Sequence, residues 1–126
     1  MHRIWIGLGA LAGLAAVALS AWAAHAAPRT LDAPRLAMLD SALTMQGWHA
    51  LALLFAGLWA DRRDGILPHL AAGGIALGML LFCGAVCSAA IGGVSLGPVA
   101  PAGGVLLMAG WALLVLSAAW PPRRPR

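Results

Sequence analysis

The 126-residue chain has no Lys, Glu, Asn or Tyr, and only 10% of its residues are charged, so it has too little polar surface to cover a soluble domain. Ordinary globular chains carry roughly a quarter charged residues. The missing lysine excludes a glycine-rich phosphate loop of the kind that ends in Lys. All four acidic residues are Asp, and each lies outside the long apolar runs. Paired-acid catalysis and an acidic intramembrane relay therefore lack their residues. No Ser has a Gly-x-Ser-x-Gly context, and the two cysteines, Cys83 and Cys87, form Cys-x3-Cys, which is neither a redox nor a zinc signature. The expectation is that the chain is not an enzyme.

What is present is apolar. Hydrophobic residues make up 62% of the chain and the mean hydropathy is +0.88. Four segments are long enough for a bilayer core about 30 Å thick, which needs roughly 20 helical residues. They run from Ile4 to Ala24, Ala42 to Ala60, Leu70 to Ile91 and Val99 to Trp120. In lipid such runs must be helices, because the backbone has to satisfy its own hydrogen bonds. The predicted fold is thus an all-α integral membrane protein, a single domain over residues 1–126 with four transmembrane helices in an up-down bundle. Between the first two, Asp32 is placed to cap a short interfacial amphipathic helix with Leu36, Leu39 and Leu43 on one face.

Arginine placement orients the bundle. Arg3, Arg62, Arg63, Arg123, Arg124 and Arg126 fall on one side, and only Arg29 and Arg35 on the other. The positive-inside rule then puts both termini, with the basic tail 121–126, in the cytoplasm of a bacterium, and the protein in its inner membrane. The pI near 11.2 does not imply nucleic acid, since these arginines sit in short clusters between apolar runs. The start of the chain imitates a signal peptide ending at Ala24-His25-Ala26, but its apolar stretch exceeds the usual 7 to about 15 residues of such signals, so retention as a first helix is expected.

Gly9 with Gly13, Gly74 with Gly78, and Gly84 with Ser88 are small residues four apart, suited to close helix contact inside the bundle or at a homo-oligomer seam. The polar residues that remain within the spans are few. Gln46 and His49 lie three apart on the second span, and His25 closes the first on the same side of the membrane. Hydrogen bonding between helices is the plain expectation for them. A polar vestibule of a small transporter or channel is the alternative, and haem or metal binding by His25 and His49 a minor one. No cofactor is expected. Expected partners are the lipid bilayer and other membrane proteins or a second copy.

Four blocks have a familiar order and spacing: SAWAAH ending at His25, MQGWHALALL from Met45, LLFCGA from Leu80, and APAGG from Ala100 followed by Gly110-Trp111. Over nearly its whole length the chain resembles the YgdD family of small membrane proteins, also called the transmembrane protein 256 family. By that resemblance His25, Gln46, His49, Phe82, Gly84, Pro101, Gly103, Gly104, Gly110 and Trp111 occupy the family's marked positions. Cys83 stands where the family has Ser, so a thiolate site would be peculiar to this chain. The resemblance implies a four-helix membrane topology and brings no biochemical activity with it.

Overall fold

The computed structural model describes residues 1–120, so the basic tail predicted at 121–126 lies outside the described residues. These residues are helical, with no strand among them. Helix α1 spans His2–His25, α2 Ala33–Arg62, α3 Leu67–Cys87 and α4 Val99–Ala119. A 3-10 turn at Ala27–Arg29 follows α1, and α3 runs on through a π-helical turn at Ser88–Gly92.

The helix ends have local causes. Pro28 stops α1 from continuing, and the Asp32 carboxylate caps α2 by accepting from the Arg35 backbone N–H at 3.0 Å. Pro34, Pro68 and Pro101 sit in first turns, where a missing N–H costs little. Gly93 ends the π-helical turn at φ +69°, a conformation that other residues adopt with strain.

One expectation changes. The amphipathic segment after Asp32 is not a separate interfacial helix but the first turns of the 30-residue α2. From Ser41 to Met45 no Gly or Pro interrupts the chain, so each added residue gains a helical hydrogen bond and the two predicted helices fuse. The apolar stripe is nonetheless the buried one. Leu39 and Leu43 join Leu31, Ala27 and Ala90 in a cluster that also takes in Trp22 and Leu36.

Three helical segments, His2–His25, Leu67–Gly92 and Val99–Ala119, are long and apolar enough to cross a membrane, and α2 is not among them. Its buried positions explain this. Leu39, Ala42, Leu43, His49, Ala50, Ala52, Leu53, Ala56, Gly57 and Ala60 of α2 are all buried, whereas α1 buries only Gly9 and Ala16. A helix with neighbours on two sides turns less of its surface to lipid, and Thr44, Gln46 and His49 lower its hydropathy.

The extensive contacts run α1 with α2, α2 with α3, and α3 with α4. Two of these are backbone-to-backbone seams. A Cβ on Gly9 would lie 2.9 Å from the Ala50 carbonyl oxygen, and one on Gly57 would lie 2.7 Å from Ile6 Cγ1. In the other seam a Cβ on Gly78 would meet the Leu107 nitrogen at 2.7 Å, and one on Gly110 would meet Ile75 Cγ1 at 2.7 Å. Low-numbered residues of one helix meet high-numbered residues of the next, so the helices in each seam run in opposite directions. Of the three small-residue pairs, Gly9/Gly13 and Gly74/Gly78 face these seams, while Gly84 has open space around it and Ser88 donates to the Val94 carbonyl at 3.2 Å.

Candidate functional site

His49 is buried midway along α2, and both of its ring nitrogens are engaged. Nδ1 lies 2.7 Å from the carbonyl oxygen of Met45, one turn back on the same helix. A carbonyl can only accept, so Nδ1 carries the proton. Nε2 is then an acceptor, and it receives the indole N–H of Trp111 from α4 at 3.2 Å. The two rings meet edge to face, 6.2 Å between centroids. The hydrogen bonds thus assign a neutral imidazole held in one tautomer, tying α2 to α4.

Gln46 lies one turn earlier and serves a different neighbour. Its amide nitrogen donates to the Ala12 carbonyl of α1 at 3.0 Å. Three residues advance a helix by roughly 300°, leaving the two side chains about 60° apart around the axis. Because α2 lies between other helices, that angle is enough to send Gln46 to α1 and His49 to α4.

His25 does not join them. It is exposed at the last residue of α1, whereas Gln46 meets that helix at Ala12. The residues between correspond to roughly 20 Å along the helix at 1.5 Å per residue. The structure therefore keeps together Gln46 and His49 but not His25 and His49. Among the described residues no three His, Cys, Asp or Glu side chains gather as metal ligands would. Cys83 and Cys87 are free thiols, and Cys83 donates to the Ala42 carbonyl of α2 at 3.4 Å.

The marked family positions divide by environment. Gly103 and Gly110 lie buried in the α3–α4 seam, with Phe82 against Gly103 and, at 3.9 Å from a Cβ placed there, against Gly104. Trp111 is the partner of His49, while Pro101 and Gly84 are exposed.

Sequence reading overlooked three further ties. The Trp59 indole donates to Ser117 Oγ at 2.9 Å, again joining α2 to α4. The Trp5 indole donates to His69 Nδ1 at 3.0 Å, joining α1 to α3. Arg63 stacks over Trp59, 4.8 Å from the ring centroid, and donates to the Trp120 carbonyl at 2.9 Å. The sequence held a signal for one of them, since Ser117 is the lone hydroxyl in α4.

Between α1 and α3 runs a groove of about 610 Å³, floored by Gln46 and Leu53 and walled by Leu8, Leu11, Leu77 and Leu80. Its lining is almost wholly apolar, and the one side-chain amide in it already donates to Ala12.

The family described as a protein of unknown function, DUF423, matches residues 19–104, from the second half of α1 to the start of α4. The UPF0382 inner membrane protein YgdD of Escherichia coli K12 is 33% identical over 117 residues, covering 92% of this chain and 89% of that protein. A UPF0382 membrane protein of Haemophilus influenzae is 34% identical over 112 residues, covering 88% of this chain and 90% of the relative. One from Staphylococcus epidermidis is 33% identical over 116 residues, covering 91% and 94%. No solved structure matches. The apolar helices, the marked positions and these relatives agree that the chain belongs to the DUF423, or UPF0382, family of membrane proteins.

Proposed function

We propose that this protein is a four-span, up-down membrane subunit that acts by packing against other membrane proteins and catalyses no reaction. The observation that carries the reading is the His49 lock. The most functional-looking side chain in the sequence has both nitrogens committed to Met45 and Trp111, so it serves as a cross-helix tie. Gln46 is committed in the same way to α1. The surface between the loops is broad and apolar, with Leu51, Leu58, Leu80 and Val115 among the side chains exposed on it.

In this reading α2 is the remaining span. Its 30 residues extend about 45 Å, longer than a hydrocarbon core of about 30 Å, so the part before Gln46 stands at the outer surface with the Trp22 cluster. Helix α1 is retained, since Gly9 and Ala12 form its seam with α2. Both termini face the cytoplasm of the inner membrane, with Arg62 and Arg63 on the same side.

Purification from native membranes in a mild detergent tests the role. A reproducible protein partner is expected to accompany the tagged chain at constant stoichiometry. Recovery of this chain with lipid alone would sink the proposal.

A further inference from the structure

The α1–α2 and α3–α4 hairpins meet through α2 and α3, so α1 and α3 stand side by side over α2 with little contact between them. What separates them is the groove of about 610 Å³. A Cβ placed on Gly73 would lie 3.7 Å from Trp5 Cη2, and Leu19 packs in one cluster with Cys87, at the same interval along the chain. The two walls therefore run parallel. From Trp5 to Leu19 and from Gly73 to Cys87, each extends about 21 Å at 1.5 Å per residue.

Within a membrane a groove can be filled by a helix, by an extended stretch of peptide or by a hydrocarbon chain. Spread over about 21 Å, the 610 Å³ give a mean cross-section of about 29 Å², a rod roughly 6 Å across, against about 10 Å for a helix with its side chains. A helix is too wide. The trough is narrow yet open because the small residues Ala12, Ala15 and Gly73 set its sides back, while Leu8 and Leu80, 40% and 69% exposed, stand up as rims.

An extended peptide passes on width and fails on chemistry. Every residue of it brings an N–H and a C=O that need partners away from water. The groove has already spent its own: the Gln46 amide nitrogen donates to Ala12, the Trp5 indole to His69 and the Cys83 thiol to Ala42. That leaves Gln46 Oε1 and the Cys87 thiol for a whole segment of backbone. A hydrocarbon chain, little wider than the carbon–carbon contact distance of about 4 Å, needs no polar partner and fits.

We propose that the groove binds one acyl chain of a phospholipid whose headgroup lies at the Trp5–His69 end. Trp5 stands where tryptophans meet headgroups, and His69 lies one turn before Gly73 on the groove face of α3. Because Nδ1 of His69 accepts from the Trp5 indole, the ring proton sits on Nε2. That N–H has no partner among the described residues and can donate to a phosphate or ester oxygen. The opposite end has no such donor and is shut by the cluster of Trp22 and Leu39, which Leu19 and Cys87 join. At about 1.25 Å per methylene, the zigzag rise of C–C bonds of about 1.52 Å, the groove takes roughly 16 to 18 carbons. Held straight, such a chain ends beyond the bilayer midplane, which lies about 15 Å in. The site goes beyond the partner-binding role and stands whether or not a protein partner is found.

The test places the full chain in phosphatidylglycerol vesicles doped with a phosphatidylglycerol whose 16-carbon chain ends in a diazirine. Photo-labelling at Leu19 and Cys87 is expected to exceed that at Met108, midway along α4 and 66% exposed, at least ten-fold. With the diazirine moved beside the ester, labelling should shift to Trp5 and Gly73. Gly84→Leu fills the trough without entering a seam, since a Cβ there meets nothing within 4 Å, and should cut groove labelling at least ten-fold while leaving Met108 unchanged. Native mass spectrometry of the unsubstituted chain released from plain phosphatidylglycerol vesicles is expected to show one retained phospholipid. Equal labelling of every lipid-facing helix, meaning ordinary bilayer contact only, would overturn the proposal. So would groove labelling that survives Gly84→Leu, the reverse order of the two diazirine positions, or a groove left unlabelled because a protein or a second copy covers it.

Discussion

Helices α2 and α4 occupy the same place in their hairpins, and they could hardly differ more in composition. Both carry Leu-Leu-x-Ala-Gly at the seam, where Gly57 and Gly110 admit a neighbouring backbone. Yet α2 holds Gln46 and His49 and buries ten residues, while α4 has Ser117 as its one hydroxyl and buries five. The difference teaches that hydropathy along a membrane chain reports exposure to lipid rather than position in the fold. The helix between neighbours can hold more polar side chains because protein supplies their partners, whereas α4 at the edge has only Ser117 and the Trp111 indole, both bonded to α2.

The comparison is broken most severely at the shared glycine. Gly57→Val and Gly110→Val would each drive side-chain atoms into an isoleucine and a backbone carbonyl of the facing helix. A loss of about 1–3 kcal/mol is expected from each, as for other overpacked interiors. Unfolding in mixed micelles, followed by tryptophan fluorescence, measures it. Equal losses sustain the equivalence of the hairpins; a loss at one glycine and not the other would break it.

A smaller effect belongs to the polar side of the comparison. His49→Leu removes the acceptor of the Trp111 N–H and the donor to Met45. Interhelical hydrogen bonds in membranes average about 0.6 kcal/mol and reach about 1.7. A double-mutant cycle with Trp111→Phe should show coupling in that range, since either change alone removes the bond. Additive losses would mean that the 3.2 Å contact contributes nothing. Ser117→Ala, which takes the acceptor from Trp59, should cost about 0.6 kcal/mol in the same assay.

These ties show where sequence reading stopped. Apolar runs and proline breaks are local, so α1, α3 and α4 could be placed within a few residues. The stripe Leu36, Leu39 and Leu43 was legible for the same reason, but its continuity with the second span was not, because an unbroken helix shows itself only by the absence of a stop. Gln46 and His49 stand out as polar residues in lipid, whereas their partners depend on how α2 is turned between α1 and α4. The likeness of the two hairpins was hidden too: Ile-x-Leu-Gly-x-Leu stands at residues 6–11 and again at 75–80, an ordinary string in an apolar helix until Gly9 is found against the Ala50 carbonyl and Leu54, and Gly78 against the Gly103 carbonyl and Leu107.

The smallest effect is expected at Gly84, and it sharpens the comparison most cheaply. The family marks this position, and its spacing from Ser88 suggests a close helix contact, but a Cβ placed there meets nothing within 4 Å. Aligning Gly9 of α1 with Gly78 of α3 sets Ala15 against Gly84, so the first hairpin already carries a methyl group at the equivalent place. Gly84→Ala should therefore leave the stability of the chain unchanged to within about 0.5 kcal/mol, the usual range for a surface substitution. A loss of stability matching that of Gly110→Val would show that Gly84 lies in a helix seam.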